Sequence, residues 1–128
     1  MSTTSPPSFG LTVDTAPGSA VVRITGDLDY ETHGELVETV TSLLRPEGTA
    51  VRPVTGLRLD FAGLGTVDSS GLSALLLIRR RTGRAGVRLH LDERPAGLER
   101  LLEMTGTLEY LTVHGQDGAG GRERPGAG

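Results

Sequence analysis

The chain has 128 residues and a formal net charge of −3, with no cysteine and only 3% aromatic residues. That size fits one domain, and the cysteine count excludes a disulfide framework and a thiolate metal site. The acidic balance excludes a broad nucleic-acid footprint, and the scarcity of aromatics argues against a base-stacking platform.

MSTTSPPS at the start and GQDGAGGRERPGAG at the end are rich in small, polar and helix-breaking residues. Neither segment buries enough apolar surface to offset the entropy of ordering, so flexible tails are expected over 1–8 and 115–128, flanking one domain over 9–114. No basic start followed by an apolar stretch is visible, so no signal peptide is expected. The apolar run near residues 74–78 falls far short of the roughly 20 residues of a membrane span, and a soluble, cytoplasmic chain is expected.

LTVD (11–14) and AVVRITG (20–26) read as β-strands around a Pro17-Gly18 turn. A helix is predicted to start near Glu31 or Thr32. Its face is formed by Leu36, Val37, Val40, Leu43 and Leu44, and Pro46 and Gly48 end it. RPEGTAVRPVTG (45–56) is a long connector. LRLDF (57–61) follows as a strand, then LSALLLIRRR (72–81) as a mostly buried helix with Gly83 as its C-cap. VRLHL (87–91) reads as a strand. Leu98, Leu101 and Leu102 mark a short helix opened by Pro95 and closed near Gly106, and LEYLTV (108–113) is expected to be the last strand. The resulting order, β-β-α-β-α-β-α-β, predicts an α/β fold with a mixed, mostly parallel sheet and helices packed on one face.

VDSSGL (67–72) interrupts two apolar runs. Asp68, Ser69 and Ser70 are residue types that cap helices, and Gly71 suits a tight turn or a close approach. Capping alone accounts for them. The same helix start would also tolerate a phosphate on Ser69 or Ser70, while a docked partner need not, so the turn has the chemistry of a switch. The loops after the second and third strands are expected at the same edge of the sheet, which brings Asp27 and Asp29 of GDLDYET (26–32) beside Ser69 as one acidic surface.

Catalytic readings fare worse. Neither serine stands in G-x-S-x-G, and without lysine there is no P-loop. Asp60 or Asp68 as a Mg²⁺ ligand is disfavoured against a satisfied strand-end carboxylate. His33, His90 and His114 have no metal-ligand spacing. Arg79–Arg81 is read as a cationic helix end complementing the dipole, in preference to a nucleic-acid contact.

VVRITGDLDYET (21–32), LRLDFAGLGTVDSSGL (57–72) and GVRLHL with LERLLEMTGTLEYLTV (86–113) together resemble the STAS family, specifically bacterial anti-sigma factor antagonists. The two polar elements at this separation carry the resemblance. It implies a non-enzymatic regulator of transcription, without a cofactor of its own, whose unphosphorylated form binds an anti-sigma factor and so frees a sigma factor. That partner is also an ATP-dependent serine kinase of histidine-kinase-like fold. The kinase phosphorylates the serine after the aspartate, here Ser69, and a PP2C-type phosphatase reverses the modification. Asp27, Asp29, Thr66, Asp68, Ser70 and Gly71 are expected to serve partner binding. The 45–56 connector is longer than the family's usual one. Two alternatives remain: a STAS scaffold without phosphorylation, for example on a transporter ATPase, and a small Mg²⁺-dependent phosphohydrolase using Asp60 or Asp68.

Overall fold

The computed structural model describes residues 9–45 and 54–112. The expected tails and most of the connector, with Pro46 and Gly48, lie outside these residues, as does His114.

Strands β1 (Gly10–Ala16) and β2 (Ser19–Leu28) form an antiparallel hairpin around Pro17-Gly18. Helix α1 (His33–Leu44) follows, then β3 (Gly56–Val67), α2 (Ser69–Ala85), β4 (Arg88–Asp92), α3 (Ala96–Met104) and α4 (Leu108–Thr112). The sheet order is β1-β2-β3-β4, with β2, β3 and β4 mutually parallel. This is the expected α/β domain with a mixed, mostly parallel sheet.

Period-two alternation in the strands produces two unlike faces. Val22, Ile24, Leu57, Leu59 and Phe61 are fully buried beneath the helices, together with Leu36 and Val40 of α1 and Leu75 and Ile78 of α2. Burying each such side chain contributes about 1.5–3 kcal/mol. The opposite face is open. Across it Arg23 pairs with Asp14 and Asp60, and Arg58 pairs with Asp92 at 2.9 Å.

The last element corrects the sequence reading. Leu108–Thr112 is a helix, not a strand. Its chain leaves α3 through Gly106 in the left-handed region (φ 72°), and the Leu111 N–H donates to the Thr107 carbonyl. Glu109 and Tyr110 are both exposed between half-buried Leu108 and fully buried Leu111, which is helical spacing and not alternation. The strand count among the described residues is therefore four, with β4 at the edge.

Two boundaries also move. Helix α2 begins at Ser69 and runs through Gly83 to Ala85, where Gly86 (φ 72°) is the C-cap. Strand β3 continues past Phe61 to Val67, keeping its pairing with β2 through register shifts between Arg23 and Thr25 and between Gly26 and Leu28. Glycines make this continuation possible: a Cβ on Gly63 would stand 2.7 Å from Thr25 Cγ2.

Candidate functional site

The two polar turns meet at one edge of the sheet. β2 ends at Leu28 and β3 at Val67, and these two residues are register partners. Two hydrogen bonds tie the turns together. Asp27 Oδ1 accepts from the Thr66 N–H at 2.9 Å, and the Leu28 carbonyl accepts from the Asp68 N–H at 3.2 Å. Gly65 makes the first of these contacts possible, since a Cβ there would sit 2.5 Å from Asp27 Oδ1.

Asp29 organises the start of α1. Its Oδ1 accepts from the Glu31 N–H at 3.0 Å and the Thr32 N–H at 3.2 Å. Thr32 Oγ1 in turn accepts from the Asp29 N–H at 2.9 Å and donates to the Asp27 carbonyl at 2.8 Å. This reciprocal arrangement works as a capping box does, with side chains satisfying the orphan amides of the turn. His33 Nδ1 lies 2.8 Å from the Tyr30 carbonyl, so that nitrogen carries the proton. Tyr30 itself is 76% exposed, its ring 5.9 Å from that of His33.

Asp68 is the N-cap of α2. Its Oδ1 accepts from the Ser70 N–H at 2.9 Å and the Gly71 N–H at 3.1 Å. Ser69 is the first helical residue and is exposed; its hydroxyl has no hydrogen-bond partner among the described residues. Ser70 is half-buried. Gly71 is buried: a Cβ there would stand 2.7 Å from both the Leu28 carbonyl oxygen and Val67 Cγ2. The close approach that Gly71 permits is thus made by the chain's own β2, which seats the head of α2 against the sheet.

Asp27, Asp29, Thr66, Asp68, Ser69 and Ser70 are therefore brought to one edge, with Gly71 beneath them. Asp27, Ser69 and Thr66 are exposed, and Asp29 is half-buried. Each of the three carboxylates has an oxygen engaged by backbone amides.

The remaining candidates lie elsewhere. Asp60 is on the open face, where its Oδ1 accepts from the Ala62 N–H at 2.9 Å just beyond the last β3–β4 pair. Val67 lies seven positions further along β3, or roughly 23 Å at about 3.3 Å per residue, so Asp60 and Asp68 do not share an ion. Among the described residues, no group of three or more His, Asp or Glu side chains is arranged to hold a metal. Arg79 Nε donates to the Tyr110 carbonyl at 3.1 Å with its guanidinium over the Tyr110 ring, and Arg81 donates to Thr41 Oγ1 at 2.6 Å. The arginine run thus fastens α4 and α1 to α2, and the helix-end role expected of it falls to Arg84 in the last turn.

Thr32 (named only as a helix start), Gly65 and Leu28 are the parts of this edge whose role sequence reasoning did not single out. DYET carries a signal for the first, an aspartate followed three residues later by a hydroxyl at a helix start. A glycine within a strand signals the second. The Leu28 carbonyl has no signature in its side chain.

A family model described as Mlab, STAS domain matches residues 11–112. The chain belongs to the STAS domain family. Among solved structures, this STAS domain is similar to an anti-sigma factor antagonist from Mycobacterium paratuberculosis, with 20% identity and a TM-score of 0.68 over 86% of this chain and 87% of that one. It is also similar to the anti-sigma factor antagonist SpoIIAA in its unphosphorylated form, with 18% identity and a TM-score of 0.59 over 92% and 90% of the two chains. A third similarity is to SLC26A9, with 18% identity and a TM-score of 0.58, covering 74% of this chain and 17% of that one. Among the described residues, no helix of this STAS domain is long and apolar enough to cross a membrane.

Proposed function

We propose that this STAS domain is an anti-sigma factor antagonist switched by phosphorylation of Ser69. In its unphosphorylated form it binds an anti-sigma factor that is also an ATP-dependent serine kinase of histidine-kinase-like fold, and a sigma factor is released. The chain supplies no catalytic group. It is the substrate of the kinase and, in reverse, of a PP2C-type phosphatase, and it acts in the cytoplasm.

The observation that carries this reading is the exposed hydroxyl of Ser69 at the head of α2, without a hydrogen-bond partner among the described residues, on an edge held in place by Asp27, Asp29 and Asp68. A free hydroxyl on a rigid support is accessible to a phosphoryl donor without unfolding the helix. Phosphate adds about −1.5 to −2 charges to an edge that is already acidic. A partner surface built to meet the neutral serine then faces repulsion and desolvation, and the complex weakens.

Incubating the protein with its cognate anti-sigma kinase and ATP, followed by peptide mass spectrometry, tests the switch. Phosphate is expected on Ser69 alone and absent in Ser69→Ala, which should hold the kinase in a stable complex. A stable complex with an intact Ser69 that never acquires phosphate would instead favour a scaffold role.

A further inference from the structure

We propose that β1 pairs with the same strand of a second copy, giving a two-fold symmetric dimer built on one continuous sheet. The two edges of the sheet are unlike. At one, α4 packs against β4. At the other, β1 presents seven residues paired one to one with β2, without a bulge. Lysine, arginine and proline, which blunt edge strands, are absent from it.

The hairpin turn decides which peptide groups are free. Pro17-Gly18 is a two-residue loop, so Ala16 and Ser19 form a hydrogen-bonded pair and the bonding alternates from there. Gly10, Thr12, Asp14 and Ala16 therefore turn their amides and carbonyls toward β2, and Leu11, Val13 and Thr15 turn theirs outward. Among the described residues, nothing bonds to these three from the outer side. Their register partners are the buried Ile24, Val22 and Ala20, so their side chains share the helix-bearing face. The helices do not cover them: Leu11 is half-buried, Val13 is 39% exposed and Thr15 is exposed.

A second copy fits this edge in register. With the two-fold axis at Val13, that residue meets the partner's Val13, and Leu11 meets the partner's Thr15. Every outward N–H then finds a carbonyl, and the two exposed valines cover each other. No like charges stand opposite one another. Asp14, the only charged residue of the strand, lies on the other face, opposite the partner's Thr12 and already paired with Arg23. The chain's own ends suit the edge poorly. Residues 1–8 include Pro6 and Pro7, which cannot donate to a ladder, and residues 113–128 follow α4, which packs at the β4 edge. The pairing uses no residue of the Ser69 edge, so each copy keeps its own. A contact confined to one strand per copy falls short of the roughly 1,200–2,000 Å² of stable complexes, so the dimer is weak and concentration-dependent.

Sedimentation of the full chain from about 10 µM to about 1 mM is expected to show a reversible monomer–dimer equilibrium. Val13→Lys sets like charges opposite each other at the axis and should weaken the dimer about tenfold or more. Val13→Pro removes an outward N–H that β2 does not use, so it should abolish the dimer and leave the circular dichroism of the fold intact. Arg80→Gln, on the exposed side of α2, should change nothing. Hydrogen exchange supplies a residue signature: the amides of Leu11, Val13 and Thr15 should gain protection with concentration, while those of Thr12 and Asp14 stay as they were. The proposal is overturned by a monomer throughout, or by a dimer as tight in Val13→Lys as in the parent protein. Concentration-dependent protection at β4 or at Ser69–Leu72 in place of β1 overturns it too, as does growth past the dimer, which would mean head-to-tail pairing of β1 with β4.

Discussion

The two turns at the Ser69 edge use the same chemical parts to different ends. Each follows a parallel strand, and each has an aspartate that accepts from backbone amides at a helix start. In the β2–α1 turn, the hydroxyl of Thr32 is consumed, accepting from the Asp29 N–H and donating to the Asp27 carbonyl. In the β3–α2 turn, Asp68 caps the helix unaided, and the hydroxyl of Ser69 has no such bond among the described residues. The difference separates a hydroxyl that holds the fold from one that is free to react. One turn is the support and the other the exposed surface.

Substitutions break this comparison in graded steps. Gly71→Ala should have the largest effect, because the new Cβ meets a backbone oxygen and Val67 at 2.7 Å and neither yields cheaply. A loss of about 1–3 kcal/mol is expected in urea unfolding, from overpacking at the seat of α2. Thr32→Ala comes next, with about 1 kcal/mol lost as the reciprocal cap and its bond to the Asp27 carbonyl disappear. Asp68→Ala should lose a similar amount, with Asp68→Asn recovering most of it, since asparagine caps nearly as well. Ser69→Ala and Ser69→Asp should sit at the bottom, each within about 0.5 kcal/mol of the parent protein. If Ser69→Ala cost as much as Thr32→Ala, the distinction between the two hydroxyls would collapse.

Much of this architecture was legible from hydrophobic spacing. The first helix and the third were readable because their leucines and valines repeat at helical intervals with breakers nearby. The last element was not, because LEYLT is too short for its spacing to decide: Leu108, Tyr110 and Thr112 alternate, while Leu108 and Leu111 stand three apart. Tertiary contact decides: as a helix the segment packs against β4, α2 and α3 with Leu111 fully buried. The AGLGTV stretch was equally opaque. Its glycines look like a loop, yet they keep β3 extended by admitting Thr25 and Asp27 from the neighbouring strand.

At the site, sequence reasoning brought Asp27, Asp29 and Ser69 together because parallel strands end at a common edge. It did not reveal what each carboxylate holds. The bond from Thr66 to Asp27 spans 39 residues and depends on register shifts that no local pattern announces. It also treated the two serines of VDSSGL as alike until the family resemblance was considered, whereas exposure separates Ser69 from its half-buried neighbour.

Strand β3 has sheet neighbours on both sides only as far as Asp60; from there to Val67 its ladder is with β2 alone. Opening of the native state is therefore graded along one strand. Amides near Leu57 and Leu59 should exchange with solvent only on global unfolding, and those nearer Thr66 through smaller, more frequent openings. Ser69 follows directly on the half of the strand that yields first, and Leu57 and Leu59 lie on the half that yields last.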